Sequence, residues 1–182
     1  VASSEVSQAT PSSSGALQIR RATTWDAVTI QAIAAATWPS AYASIISQEQ
    51  ISYMLEGMYG LEVLRGEMNG KHIYLIAEKE GNAIGFAGLE HSFRGSPNTR
   101  LHKLYVLPEA QGTGAGRLLL RSSVTATAEH GDTAIELTVN RYNRAKDIYL
   151  RWGFHIVRDQ VLDIGNGFVM DDHVMQYTLA NS

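Results

Sequence analysis

Apolar and polar residues alternate from Leu17 through Ile19 to Arg21, which predicts a first strand reaching about Thr23. A helical period follows, with Val28, Ile30, Ile33 and Ala34 on one stripe, Thr24 as the N-cap and Asp26 in the first turn. This helix is expected to stop before Pro39, because a residue preceding proline is pushed out of the α region. Ser47 and Gln50 have the spacing of a capping box and predict a second helix through Ile51, Met54, Leu55 and Met58. A shorter amphipathic segment runs from Leu61 to Met68. Strands are expected over His72 to Lys79 and Ala83 to His91, about a turn at Glu80-Gly81-Asn82, and again over Leu101 to Val106. A helix from Arg117 to about His130 and a strand from Thr133 to Val139 come next. A short helix after Asn143 ends near Arg151 to Gly153, and strands His155 to Ile164 and Gly167 to Leu179 close the chain about Gly165-Asn166-Gly167. The order β-α-α-β-β-β-α-β-α-β-β mixes hairpins with crossovers, so the fold class is α/β of the mixed α+β kind.

At 182 residues and 45% hydrophobic, the chain suits one domain over 16–182. Residues 1–15 carry six serines and little that could be buried, and are expected to form a disordered tail without the basic and apolar regions of a signal peptide. A net charge of −3 with no Lys/Arg block argues against nucleic acid, and no apolar run approaches the roughly 20 residues of a membrane span. There is no cysteine, hence no disulfide, thiolate metal site or cysteine nucleophile. A cytoplasmic enzyme is the expectation. The six histidines are scattered along the chain, so no metal site is expected.

Leu101 to Leu120 carries the first chemical signal. The spacing of three from Leu101 to Leu104 breaks the strand period that Leu104 and Val106 restore. One extra residue fits a β-bulge that splays the strand and frees backbone groups, although burial of both faces would give the same pattern. The strand feeds a loop with glycines at 112, 114 and 116 that opens a helix, an arrangement that points unpaired N–H groups and the helix dipole at one spot suited to phosphate. A Walker loop fails, since Arg117 and Leu118 follow the last glycine, and the dinucleotide fingerprint fails at Arg117. Gln111-x-x-Gly114-x-Gly116 after Leu101-x-x-Leu104-x-Val106 resembles instead the acyl-CoA loop of the GNAT N-acetyltransferase superfamily. A second stretch, from Asn143 through Ala145 and Tyr149 to Gly153-Phe154, resembles that family's N-x-A-x-x-x-Y-x-x-x-G-F pattern and follows in the expected order.

The resemblance, which spans about Leu17 to Leu179, implies the GNAT fold: a mixed, largely antiparallel twisted sheet of about six or seven strands with helices on both faces. It implies acetyl-CoA as cosubstrate, with Gln111, Gly112, Thr113, Gly114, Ala115 and Gly116 at the pyrophosphate. Leu104, Tyr105 and Val106 would lie along the pantetheine arm, with Asn143 contacting the acyl-CoA. Tyr149 is placed near the thioester sulfur. A thiol titrates at about 8.5 and a tyrosine at about 10, so Tyr149 is a plausible acid for the leaving thiolate. The amine would attack directly in a ternary complex. His102 sits where many members carry an acidic residue, and Glu90 and His91 end the neighbouring strand; each is a candidate base, acting directly or through water.

Trp38, Tyr42, Tyr53, Asp171 and Asp172 lie where acceptor-facing residues are expected, and aromatics with carboxylates suit a cationic amine. The pattern around Trp38 to Tyr59 and Gly165 to Met175 resembles the polyamine acetyltransferase-like group, which implies a small-molecule amine acceptor. The alternatives are a catalytically silent acyl-CoA sensor and a protein N-terminal or lysine acetyltransferase. Members are frequently homodimers.

Overall fold

The computed structural model describes residues 15–180; the expected tail, apart from Gly15, lies outside them. The strands are β1 (Leu17–Arg21), β2 (His72–Lys79), β3 (Asn82–Glu90), β4 (Asn98–Val106), β5 (Ala134–Asn140), β6 (His155–Gly165) and β7 (Phe168–Thr178). They form one sheet of order β1-β2-β3-β4-β5-β7-β6, antiparallel at every junction except the parallel β4–β5 pair. Helices α1 (Ala27–Tyr42), α2 (Gln48–Tyr59) and α3 (Leu61–Asn69) cover one face around Trp38, Tyr59, Leu64, Tyr74 and Phe86. Helices α4 (Ala115–His130) and α5 (Ala145–Arg151) cover the other around Leu119, Leu120, Ile135 and Phe154. This is the mixed architecture that the resemblance implied, with seven strands.

The first helix departs from expectation. It runs through Pro39 to Tyr42, and the Thr37 hydroxyl bonds the Ile33 carbonyl at 2.7 Å in the turn before the proline. Packing outweighs the proline here. Trp38 is 2% exposed, and its ring lies 4.6 Å from that of Tyr42 one turn on, so breaking the helix would pull both out of the core. The entry also differs, since a 3-10 turn over Thr24–Asp26 precedes α1 and the Asp26 carboxylate accepts the Thr23 N–H at 2.8 Å, making Thr23 the cap. At α2 the Ser47 hydroxyl caps Gln50 N–H at 3.1 Å, while the Gln50 side chain donates to the Val169 carbonyl at 3.0 Å instead of completing the box. That bond ties α2 to the β6–β7 hairpin.

The bulge in β4 is present, and its extra residue is His102. Leu89 pairs with Leu101 and Gly88 with Lys103, leaving His102 unmatched between them. Leu101, Leu104 and Val106 consequently pack on the α4 side, while His102, Lys103 and Tyr105 turn to the α1–α2 side. The strand then parts from β5. Their parallel pairing ends at Leu101 with Leu137, whereas β5 continues along β7 to Asn140 opposite Asp172. Gly85 holds the other edge of β4 close, because a Cβ there would stand 2.8 Å from the Tyr105 carbonyl oxygen.

Candidate active site

The glycine loop lies at the end of β4. Gln111, Gly112, Thr113 and Gly114 are exposed. Gly112 and Gly114 have φ of 80° and 93°, conformations that favour glycine; Gly116 lies inside α4, and a Cβ there would only touch Val106 at 3.6 Å. Gly112 and Gly114 thus shape the loop, while Gly116 leaves the first turn slim. Thr113 spends its hydroxyl on the Ala110 carbonyl at 2.6 Å, and Ala115 is buried, so these two residues have only backbone to offer a ligand. The first backbone bond closing α4 is Leu118 N–H to the Gly114 carbonyl at 2.9 Å, and no side chain caps the earlier N–H groups. They point where an anion would sit, beside the backbone edge of β4 from His102 to Val106 that β5 leaves free.

On the α5 side, Asn143 Oδ1 accepts the Ala145 N–H at 2.9 Å and starts the helix. Ala145 and Tyr149 share the face packed on the core, with the Tyr149 ring 5.6 Å from that of Phe154. Burial, and then the nearby Tyr42 hydroxyl, hold Tyr149 well above the ordinary tyrosine range, so at neutral pH it keeps its proton. Among the described residues its hydroxyl makes no hydrogen bond, and it is available to donate.

Between α1, α2, β4 and the β6–β7 hairpin lies a cavity of about 240 Å³, bordered by Trp38, Tyr42, His102, Lys103, Met170 and Asp172 among others. Trp38 is enclosed by the rings of Tyr42, Tyr59 and Tyr105 at 4.6, 5.7 and 5.9 Å, which makes it the packing centre of the wall. The Tyr42 and Tyr105 hydroxyls are 2.9 Å apart. Of the other aromatic and acidic candidates, Tyr53 donates to the Ile164 carbonyl at 2.8 Å and Asp171 pairs with Arg141 at 3.0 Å. These two hold the hairpin in place. Asp172 differs: it is 2% exposed, and among the described residues its carboxylate has no hydrogen bond or ion pair. Burial, then the neighbouring Asp171 charge, raise its pKa to about 6, against weaker pulls from Arg100 and His173.

His102 and Glu90, on the adjacent strands β4 and β3, meet at 3.0 Å between Nε2 and Oε2. Burial pulls His102 down to about 4, with Glu90 resisting, so the imidazole is neutral at pH 7. A Nε2–H donated to Glu90 leaves the lone pair on Nδ1. Sequence reading missed Lys103, which is 4% exposed with Nζ 2.5 Å from Glu67 and 2.6 Å from the Tyr74 hydroxyl, and Arg100, bonded to Glu136 at 2.7 Å. The bulge itself was the signal, since one extra residue puts His102 and Lys103 on the same side. The histidines are scattered in sequence but not in space: His72, Glu90 and His102 gather their ligand atoms within 4.8 Å, as do His91, His130 and Asp132.

Among the described residues no helix is long and apolar enough to cross a membrane. Residues 42–171 match the family model described as an acetyltransferase (GNAT) domain. An uncharacterised N-acetyltransferase of Mycobacterium tuberculosis is 30% identical over 152 residues, 80% of this chain and 96% of its own. A spermidine N(1)-acetyltransferase of Thermoplasma acidophilum is 26% identical over 161 residues, 85% of this chain and 96% of its own. The crystal structure of the PaiA N-acetyltransferase of Thermoplasma acidophilum in complex with coenzyme A superposes with a TM-score of 0.74 at 24% identity, covering 90% of this chain and 99% of that one. With the parted strands, the glycine loop and the asparagine–tyrosine helix already in place, these likenesses establish that the chain belongs to the GNAT acetyltransferase family, the acetyl-CoA-dependent N-acetyltransferases.

Proposed function

We propose that this enzyme acetylates a small cationic amine of the polyamine type, by direct attack of the amine on acetyl-CoA in a ternary complex. The observation that carries the acceptor class is Asp172, a buried carboxylate without a partner at the wall of the cavity. The neighbouring cations are already matched, Lys103 by Glu67 and Arg100 by Glu136, so Asp172 is the charge left to receive an ammonium group. Tyr42 borders the same cavity and supplies a hydroxyl and an aromatic edge beside it. The similarity to a spermidine acetyltransferase supports the same reading.

In this scheme the amide groups of Gln111 to Gly116 hold the pyrophosphate, and the free edge of Leu104, Tyr105 and Val106 pairs with the amides of the pantetheine arm. Asn143, whose carbonyl oxygen is committed to α5, offers its amide N–H2 to the acyl-CoA. The amine gives a proton to Nδ1 of His102, directly or through water, while Glu90 holds the Nε2–H tautomer. Its nitrogen attacks the thioester carbonyl, the C–S bond breaks as the tetrahedral intermediate collapses, the Tyr149 O–H protonates the leaving thiolate, and the second proton that nitrogen sheds on becoming an amide returns to the Tyr149 oxygen through water. A cytoplasmic setting suits this cosubstrate.

A thermal-shift screen with acetyl-CoA, followed by thiol release with polyamines, aminoglycosides and amino acids, tests the proposal. Stabilisation by acetyl-CoA with thiol release driven by polyamines is the expected result. Stabilisation with no small amine accepted would move the acceptor to proteins or leave a silent acyl-CoA sensor. No stabilisation would overturn the loop assignment.

A further inference from the structure

The successive strands β2, β3 and β4 bring two histidines and a glutamate to one spot beside the acceptor cavity. His72 opens β2 and is the cross-strand partner of Glu90 at the end of β3. His102 joins them because the bulge in β4 adds it to that side of the strand. Glu90 Oε2 is 3.0 Å from His102 Nε2 and 3.9 Å from His72 Nε2, and all three donor atoms lie within 4.8 Å of one another. Zinc bonds of about 2.0–2.2 Å at tetrahedral angles hold ligand atoms roughly 3.3–3.6 Å apart, so the triangle has to tighten by little more than about 1 Å at its widest to close on one ion. The three side chains are sheltered but reachable, at 20%, 17% and 26% exposure for His72, Glu90 and His102. Among the described residues their side chains have no hydrogen-bond or ion-pair partner except one another.

We propose that His72, Glu90 and His102 form a binding site for a divalent first-row transition metal, Zn2+ foremost, and that its occupancy shuts off acetyl transfer. Two imidazoles and one carboxylate are the donor set that such ions take, and His102 borders the acceptor cavity, so the ion sits where the amine must arrive. The inhibitory half rests on the role proposed for His102. Metal on Nε2 confines the ring proton to Nδ1, the nitrogen that would accept the proton of the amine, so bound metal and proton acceptance exclude each other.

The second cluster serves as a control. His91 Nδ1 is held 2.7 Å from the Thr99 hydroxyl, and the Asp132 carboxylate already accepts the Ser92 N–H and the Thr99 hydroxyl at 3.0 and 2.7 Å, so its donors are engaged.

The test titrates the metal-free full chain with Co2+ and reads the visible d–d absorption of tetrahedral cobalt, then repeats the titration with Zn2+ in competition. The wild type should develop the band with a single equivalent, Zn2+ should displace it, and the band should be lost in His72→Ala and in Glu90→Gln but kept in His130→Ala. Circular dichroism of each variant shows that the loss is not unfolding. Absence of the band in the wild type, or its survival in both His72→Ala and Glu90→Gln, would overturn the site. In the thiol-release assay Zn2+ should abolish wild-type turnover, EDTA should restore it, and His72→Ala should lose this sensitivity. Turnover that is indifferent to Zn2+ in a chain showing the cobalt band would overturn the inhibitory half alone. The band needs no amine, so failure of the acetyltransferase reading and failure of the metal site are told apart.

Discussion

Tyr149 and Asp172 both carry a shifted pKa, and the shifts have opposite consequences. Burial keeps Tyr149 protonated, which is the state an acid needs. Tyr149→Phe should lower kcat by roughly 100-fold or more while leaving the KM for acetyl-CoA nearly unchanged, since only the transition state uses the proton. Steady-state kinetics at saturating amine check this, and an unchanged kcat would remove the acid role.

Asp172 is an acid whose pKa rises on folding to about 6 from an ordinary 3.8. The folded state therefore holds this proton more tightly, and the contribution favours folding at low pH. It is lost as the pH climbs through the window between those values, and above about pH 6 the buried charge is a penalty. Asp172→Asn should accordingly stabilise the protein by up to about 3 kcal/mol at pH 8 and hardly at all near pH 4, while the KM of a cationic amine rises. Denaturant melts at the two pH values decide. Equal effects at both would show that Asp172 is not the unpartnered charge.

The glycine loop separates backbone shape from ligand contact at the scale of an element. Gly112→Ala and Gly114→Ala place a Cβ on positive φ and should each cost about 1–2 kcal/mol, together with acyl-CoA affinity. Gly116→Ala lies in helix and meets only Val106, so it should keep or slightly raise stability; any loss of acyl-CoA affinity in that variant then reports close approach of the ligand. Chemical denaturation and titration of acetyl-CoA on the three variants separate the two effects. Gly85→Ala should be worse than any of them, because a Cβ 2.8 Å from the Tyr105 carbonyl oxygen forces β3 away from β4 and displaces the free edge to which the proposal assigns the pantetheine arm.

At the largest scale, the described residues form two layers of helix around a sheet that opens at one line, and the cavity beside Asp172 is closed by contacts between segments far apart in the chain. Tyr53 to the Ile164 carbonyl and Gln50 to the Val169 carbonyl fasten α2 onto the β6–β7 hairpin. Removing both, as in Tyr53→Phe with Gln50→Ala, should raise the KM of the amine and leave binding of acetyl-CoA intact, because the loop and the parted strands lie elsewhere. Saturating acetyl-CoA should still stabilise this variant, by about 2.7 kcal/mol at a hundredfold excess over Kd. A calorimetric titration showing weakened acetyl-CoA would contradict the separation of the two sites.

Much of this was written in local sequence. Periodicity located the strands and helices because burial repeats every two residues in one and every 3.6 in the other. The broken spacing from Leu101 to Leu104 announced the bulge, since an extra residue must shift the apolar face. Glycines 112 and 114 marked a turn that only they adopt readily. Local signals stopped at Pro39, where the burial of Trp38 and Tyr42 outweighed the proline, and at Thr24, where the Asp26 carboxylate made Thr23 the cap. The sequence by itself determined most of the order of strands and helices, the glycine loop and the tyrosine helix, for each is a short-range pattern of backbone preference and burial. Only the tertiary structure decided that His72, Glu90 and His102 meet, that Asp171 is taken by Arg141 while Asp172 is left alone, and that Lys103 is neutralised by Glu67. Those pairings join residues on different elements, from 12 to 36 positions apart, and the register of the sheet, which no local spacing encodes, is what sets them side by side.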